Sequence, residues 1–92
     1  MGREIVVEGA RSLAEALEEL AGAGCRIAMV DGQLVMPDQA PAPAWREIRL
    51  RGAAGMITLS RRPAGVAVTV FGNAAPELVA LQERVAAILR GA

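Results

Sequence analysis

Apolar residues along this chain repeat in two ways, every second residue in some stretches and every third or fourth in others. Ile5, Val6 and Val7 form a short β-branched run bounded by Gly9, which predicts a first strand. Ser12 followed by Glu15 has the spacing of a capping box, and Leu13, Leu17 and Leu20 then recur at four and three residues. That spacing predicts an amphipathic helix with Glu15, Glu18 and Glu19 on its wet side and Gly22 and Gly24 as its stop. Cys25 to Met36 reads as a hairpin, because Asp31-Gly32 tolerates the positive φ that a two-residue type I′ turn requires. Strict alternation places Ile27, Met29, Leu34 and Met36 on one face of that hairpin. Ala28, Val30 and Val35 fall on the other.

Pro37 to Pro43 is a connector, since its prolines cannot join a sheet interior. Between Trp45 and Arg51, Ile48 and Leu50 alternate with Glu47, Arg49 and Arg51. The i, i+3 spacing of Trp45 and Ile48 also fits a short helix, but the alternation favours a half-buried strand. Met56–Arg61 and Val66–Phe71 form a second hairpin around Arg62-Pro63-Ala64-Gly65, with Ile57 opposite Val70 and Leu59 opposite Val68. Met56, Thr58, Ser60, Ala67, Thr69 and Phe71 take its outer face. Leu78, Leu81, Val85 and Ile88, with Leu89 alongside, predict a second amphipathic helix, with Asn73 as its cap, Pro76 in the first turn and Gly91 at its end.

The expected order is β-α-β-β-β-β-β-α over one domain, residues 1–92. It corresponds to an α+β two-layer sandwich, a mostly antiparallel sheet with both helices on one face. The expected core is Leu17, Leu20, Ile57, Leu59, Val68, Leu81 and Val85.

Candidate chemistry is sparse. The 92 residues include no histidine, lysine or tyrosine, so the common general bases near neutral pH are missing. Cys25 is the single cysteine; it follows a helix end, has no histidine to activate it, and reads as a buried hydrophobe. A zinc site would need carboxylates alone, and no acidic cluster has calcium-loop spacing. The glycines end helices instead of opening phosphate loops. The expectation is a protein that is not an enzyme and takes no cofactor or metal. An active site completed at a subunit interface, through Cys25 or a carboxylate, is the minority alternative. One cysteine, no apolar stretch of leader length and no run near the ~18–20 apolar residues of a membrane span point to a cytoplasmic protein, bacterial in style, with no membrane role.

Net charge is zero, but it is unevenly spread. Residues 1–43 hold seven acidic residues and three arginines, a balance of −4, whereas residues 44–72 hold five arginines and Glu47, a balance of +4. Arg46, Arg49, Arg51, Arg61 and Arg62 therefore form a candidate patch for an anion or an acidic partner. Two helices can cover only one side of a small sheet. The expected open side exposes Ala28, Val30, Val35, Met56 and Phe71, with Trp45 at its border, and apolar area of that kind marks an interaction site. These features lead to a small non-catalytic interaction module, a homodimer or an accessory subunit of a larger complex, docking through that face or through an edge strand. The alternative is a small nucleic-acid-binding or regulatory domain using the arginines of residues 46–62. The neutral net charge and the presence of only Trp45 and Phe71 as stacking aromatics weigh against it.

Overall fold

The computed structural model of the protein describes residues 2–36 and 39–91. In chain order its elements are β1 (Arg3–Glu8), α1 (Leu13–Gly22), β2 (Arg26–Val30), β3 (Gln33–Leu34), β4 (Glu47–Gly52), β5 (Gly55–Arg62), β6 (Gly65–Val70) and α2 (Pro76–Arg90). This is the expected order, and the protein is an α+β fold. All six strands join one antiparallel sheet in the order β1-β6-β5-β4-β2-β3. Its centre is a meander of β4, β5 and β6, tied by two-residue turns at Ala53-Ala54 and Pro63-Ala64. The β2–β3 hairpin adds to one side of it and β1 to the other. The segment expected as a connector is described from Gln39 onward, Pro37 and Asp38 lying outside the described residues.

Alternation along each strand sorts the side chains into rows that cross the sheet. Ile5, Val68, Leu59, Ile48 and Val30 make one inward row, and Val70, with Ile57, Leu50 and Ile27, makes the next. Helix α2 lies over β1 and β6 and packs against α1. Helix α1 buries Leu13, Ala16 and Leu20 in the same core. Ser12 caps α1 as its spacing predicts, its Oγ accepting the Glu15 N–H at 3.3 Å. Of the expected core, Leu20, Ile57, Leu59, Val68 and Val85 are buried, while Leu17 and Leu81 are half-buried at its margin. The cap of α2 is Ala75, with no side-chain hydrogen bond; Asn73 stands outside it, and Pro76 takes the first helical position.

Three features depart from the simple alternation. The pairing of β2 with β4 slips between Ile27 and Met29, so Ala28 is an extra residue in a β-bulge. One extra residue turns every later side chain to the opposite face. Ile27 therefore faces the core with Leu50, Met29 sits outward opposite Arg49, and Val30 returns inward opposite Ile48. Val30 and Val35 pack against the core, which corrects their expected place on the open face. Trp45 is also buried. It precedes β4, where its N–H donates to the Ala42 carbonyl at 3.1 Å, and the Arg61 guanidinium lies 4.4 Å from its ring centroid.

Gln82 is the third. It lies on the inner face of α2, fully buried, with every donor used. Its Nε2 donates to the Arg3 and Val68 carbonyls at 2.9 Å each, and its Oε1 accepts from Arg3 Nε at 2.9 Å. One amide thus fastens α2 to both β1 and β6. Gln82→Leu keeps the volume but leaves those carbonyls dry, and should cost about 1–3 kcal/mol. Urea denaturation measures it; an unchanged midpoint would mean that the amide holds nothing.

Asp31 does two jobs at the β2–β3 turn. With φ at 49° and Gly32 at 81°, the pair forms the tight turn its sequence predicts. Its Oδ1 also accepts the Arg46 and Glu47 N–H groups at 2.8 Å each, while its own N–H donates to the Glu47 carbonyl at 2.8 Å. The Glu47 and then the Arg46 amide hold the carboxyl below its usual pKa. Its folded pKa being the lower one, the anchor stabilises fully above the unfolded value of about 3.9 and fades as pH falls through the folded value. Wild type should therefore exceed Asp31→Asn in stability near neutral pH and lose that margin in acid. A margin that does not change with pH would show that the charge is not involved.

Candidate docking surface

Both helices lie on the inward side of the sheet, and none of the described elements covers its other side. Rows on that outward face follow from the same registers. Glu4, Thr69, Thr58, Arg49, Met29 and Leu34 make one, and Val6, Ala67, Ser60 and Glu47 make the next. A third runs Met56, Arg51, Arg26 across β5, β4 and β2, and Phe71, one residue beyond β6, continues it past Met56. The small members Ala67 and Thr58 are shielded by their longer neighbours, whereas Phe71 is 67% exposed and Leu34 83%. Val6 and Met56 are exposed as well. The open face is thus mixed: apolar at its margins and polar through its middle.

Of the six residues expected to line or border an open face, Met56 and Phe71 do so, and Ala28 is taken up by the bulge. Val30, Val35 and Trp45 belong to the core side. Leu34 and Met29 join instead, through the bulge at Ala28. No local signal marked that bulge, because an alternating apolar run reads the same with or without it.

The five clustered arginines are parted by the sheet. Arg49 and Arg51 stand on the outward face, Arg49 with its Nε 3.4 Å from Glu47. Arg62 is at the end of β5, beside its turn into β6, and pairs with Glu4 at 2.7 Å. Arg61 faces inward, where it stacks on Trp45 and donates to the Pro43 carbonyl at 2.9 Å. Arg46, Arg61 and Arg62 border a groove of about 1030 Å³ between the start of α1 and the β5–β6 turn, which Arg11 also lines. Arg11 is spent on structure, donating to Glu19 at 3.0 Å and to the Ile88 and Glu15 carbonyls. The five arginines therefore make no single patch, and two of them, Arg61 and Arg62, tie distant chain segments together.

Cys25 lies at the start of β2, buried and unpaired. Burial pushes its thiol pKa up, opposed by the charge of Arg84. The nucleophilic thiolate is thereby disfavoured. Labelling by a thiol reagent should be slow in the folded protein and fast in denaturant. Native labelling faster than that of a free thiol would point to an activated nucleophile. Among the described residues no group of three acidic or cysteine side chains is placed to hold a metal ion, and no helix is long and apolar enough to cross a membrane. Comparison of the chain with protein-family models, curated proteins and solved structures finds no match to any of them.

Proposed function

We propose that the protein is a small non-catalytic interaction module, a homodimer or the accessory subunit of a larger cytoplasmic complex, and that it docks through the outward face of its sheet. The observation carrying this reading is that face itself, six strands wide and without a cover among the described residues, with Val6, Leu34, Met56 and Phe71 exposed on it. Strands about 4.8 Å apart make a face roughly 24 Å across, and strands of about six residues at ~3.3 Å each make it roughly 20 Å long, so two such faces in full contact come to about 1,000 Å², the lower bound of a specific interface. A nucleic-acid role draws less support, because the arginines that would carry it point to different sides of the sheet.

Site-specific photo-crosslinking tests the proposal. A photo-reactive phenylalanine analogue at Phe71 should give a discrete adduct in native cells, either with a second copy or with one partner. The same group at Ala80, exposed on α2, should give none. Adducts from position 80 and none from position 71 would turn the docking surface around to the helices.

A further inference from the structure

Across β2 and β4, Arg26 and Arg51 are register partners on the outward face. Like charges placed directly opposite one another in a sheet are destabilising. The other arginines of this face are relieved by carboxylates, Arg49 by Glu47 and Arg62 by Glu4. Among the described residues neither Arg26 nor Arg51 has such a partner, and both are exposed. The pair breaks a local rule with no compensation among the described residues, and rule-breaking of this kind is expected at functional positions. Its surroundings show the missing compensation. Met56 is the next residue in the row beyond Arg51, Phe71 follows, and Met29 lies one row away, beside Arg49. The row therefore offers two planar, always-charged forks next to exposed apolar side chains.

We infer that the row Phe71–Met56–Arg51–Arg26 receives an acidic, apolar-flanked segment of another protein, whose carboxylates pair with the two guanidiniums and whose apolar side chains cover Met56 and Phe71. This rests on the outward face being the docking surface and adds the chemistry of its occupant. Arginine is suited to the task because its fork binds a carboxylate through two parallel hydrogen bonds. Two unpaired arginines on a protein of zero net charge supply too few phosphate contacts for a polyanion. The flanking Met and Phe side chains would gain nothing from a sugar-phosphate backbone. A protein segment satisfies both halves of the row.

The test uses the whole protein, two variants and a synthetic 20-residue peptide of Glu with Leu at helical spacing, set against the same peptide with Gln for Glu. Wild type should bind the Glu peptide, with amide shifts centred on Arg26, Arg51 and Met56, and should bind the Gln peptide at least tenfold more weakly. Arg51→Glu turns the like-charged pair into an opposite one. It should raise the melting midpoint by about 1–5 °C while weakening peptide binding at least tenfold. Arg84→Glu, a charge reversal on α2, should leave binding unchanged. The inference is overturned if Arg51→Glu binds as well as wild type, or if a single-stranded oligonucleotide or phosphatidylserine vesicles shift the same amides and the peptide does not. It is also overturned if wild type self-associates in a manner that Arg51→Glu abolishes, which would give the row to a second copy. Failure of the peptide together with a crosslink from position 71 would reject the acidic occupant and keep the docking face.

Discussion

Gly65→Ala should detach β1 from the sheet and cost about 3 kcal/mol or more, the upper end of what overpacking a filled site costs. Gly65 opens β6 opposite Glu8, where the two backbones approach more closely than a side chain allows. A Cβ there would overlap the Val7 carbonyl oxygen and lie 2.8 Å from its carbon and 2.9 Å from Glu8 Cα. All three are backbone atoms of a paired strand, so no rotamer change can relieve the contact. At Gly52 the nearest obstacle is Leu81 Cδ2, the tip of a side chain that can swing, and Gly52→Ala should be milder. Gly22 meets nothing within 4 Å, and Gly22→Ala should gain a few tenths to about 1 kcal/mol from lower chain entropy. Urea denaturation ranks the three variants, and hydrogen exchange at Ile5 to Val7 localises the damage. A Gly65→Ala protein as stable as wild type, with those amides still protected, would refute the β1–β6 register.

The second large effect is expected at Leu59. It lies at the middle of the inward row, between Ile48 and Val68, with no exposed surface. Its neighbours on both sides belong to strands pinned by two-residue turns, so they cannot collapse into the space a truncation leaves. Leu59→Ala should cost about 2–5 kcal/mol. A 92-residue chain has roughly 5–14 kcal/mol in total, so this one change can consume most of the margin. Leu17→Ala is the contrast. Leu17 sits half-buried beside a shallow hollow between α1 and the β2–β4 side of the sheet, and its loss should cost only about 1–2 kcal/mol. If the two variants shift the denaturation midpoint equally, the core is not centred on the Ile48–Leu59–Val68 row.

The order and kind of every element were legible in the sequence, because each rests on short-range physics. Leu13 and Leu20 mark a helix by spacing alone, Ile48 and Leu50 a strand by alternation, and Asp31-Gly32 a turn by the φ values those residues tolerate. The register of the β5–β6 hairpin followed as well, since Leu59 and Val68 are joined by a short local loop. What the tertiary structure alone decided was everything that depends on partners far apart in the chain. β4 meets β2 across the whole β3 segment, and only that pairing places the bulge at Ala28. The bulge turns Val30 and Val35 toward the core, where they are half-buried against it, and leaves Met29 on the outward face. Trp45 is covered because Arg61, from another strand, lies over it. Gln82 is polar and interrupts the apolar stripe of α2, so periodicity alone does not place it in the core; its burial is tolerable only because Arg3 and Val68, distant in sequence, supply the hydrogen bonds. Arg26 and Arg51 show the same limit at the candidate site. Each is an ordinary surface arginine in its own strand, and only the non-local register sets one against the other. Local periodicity encodes which face a residue takes within its element, whereas the identity of its neighbours is set by how the elements pair.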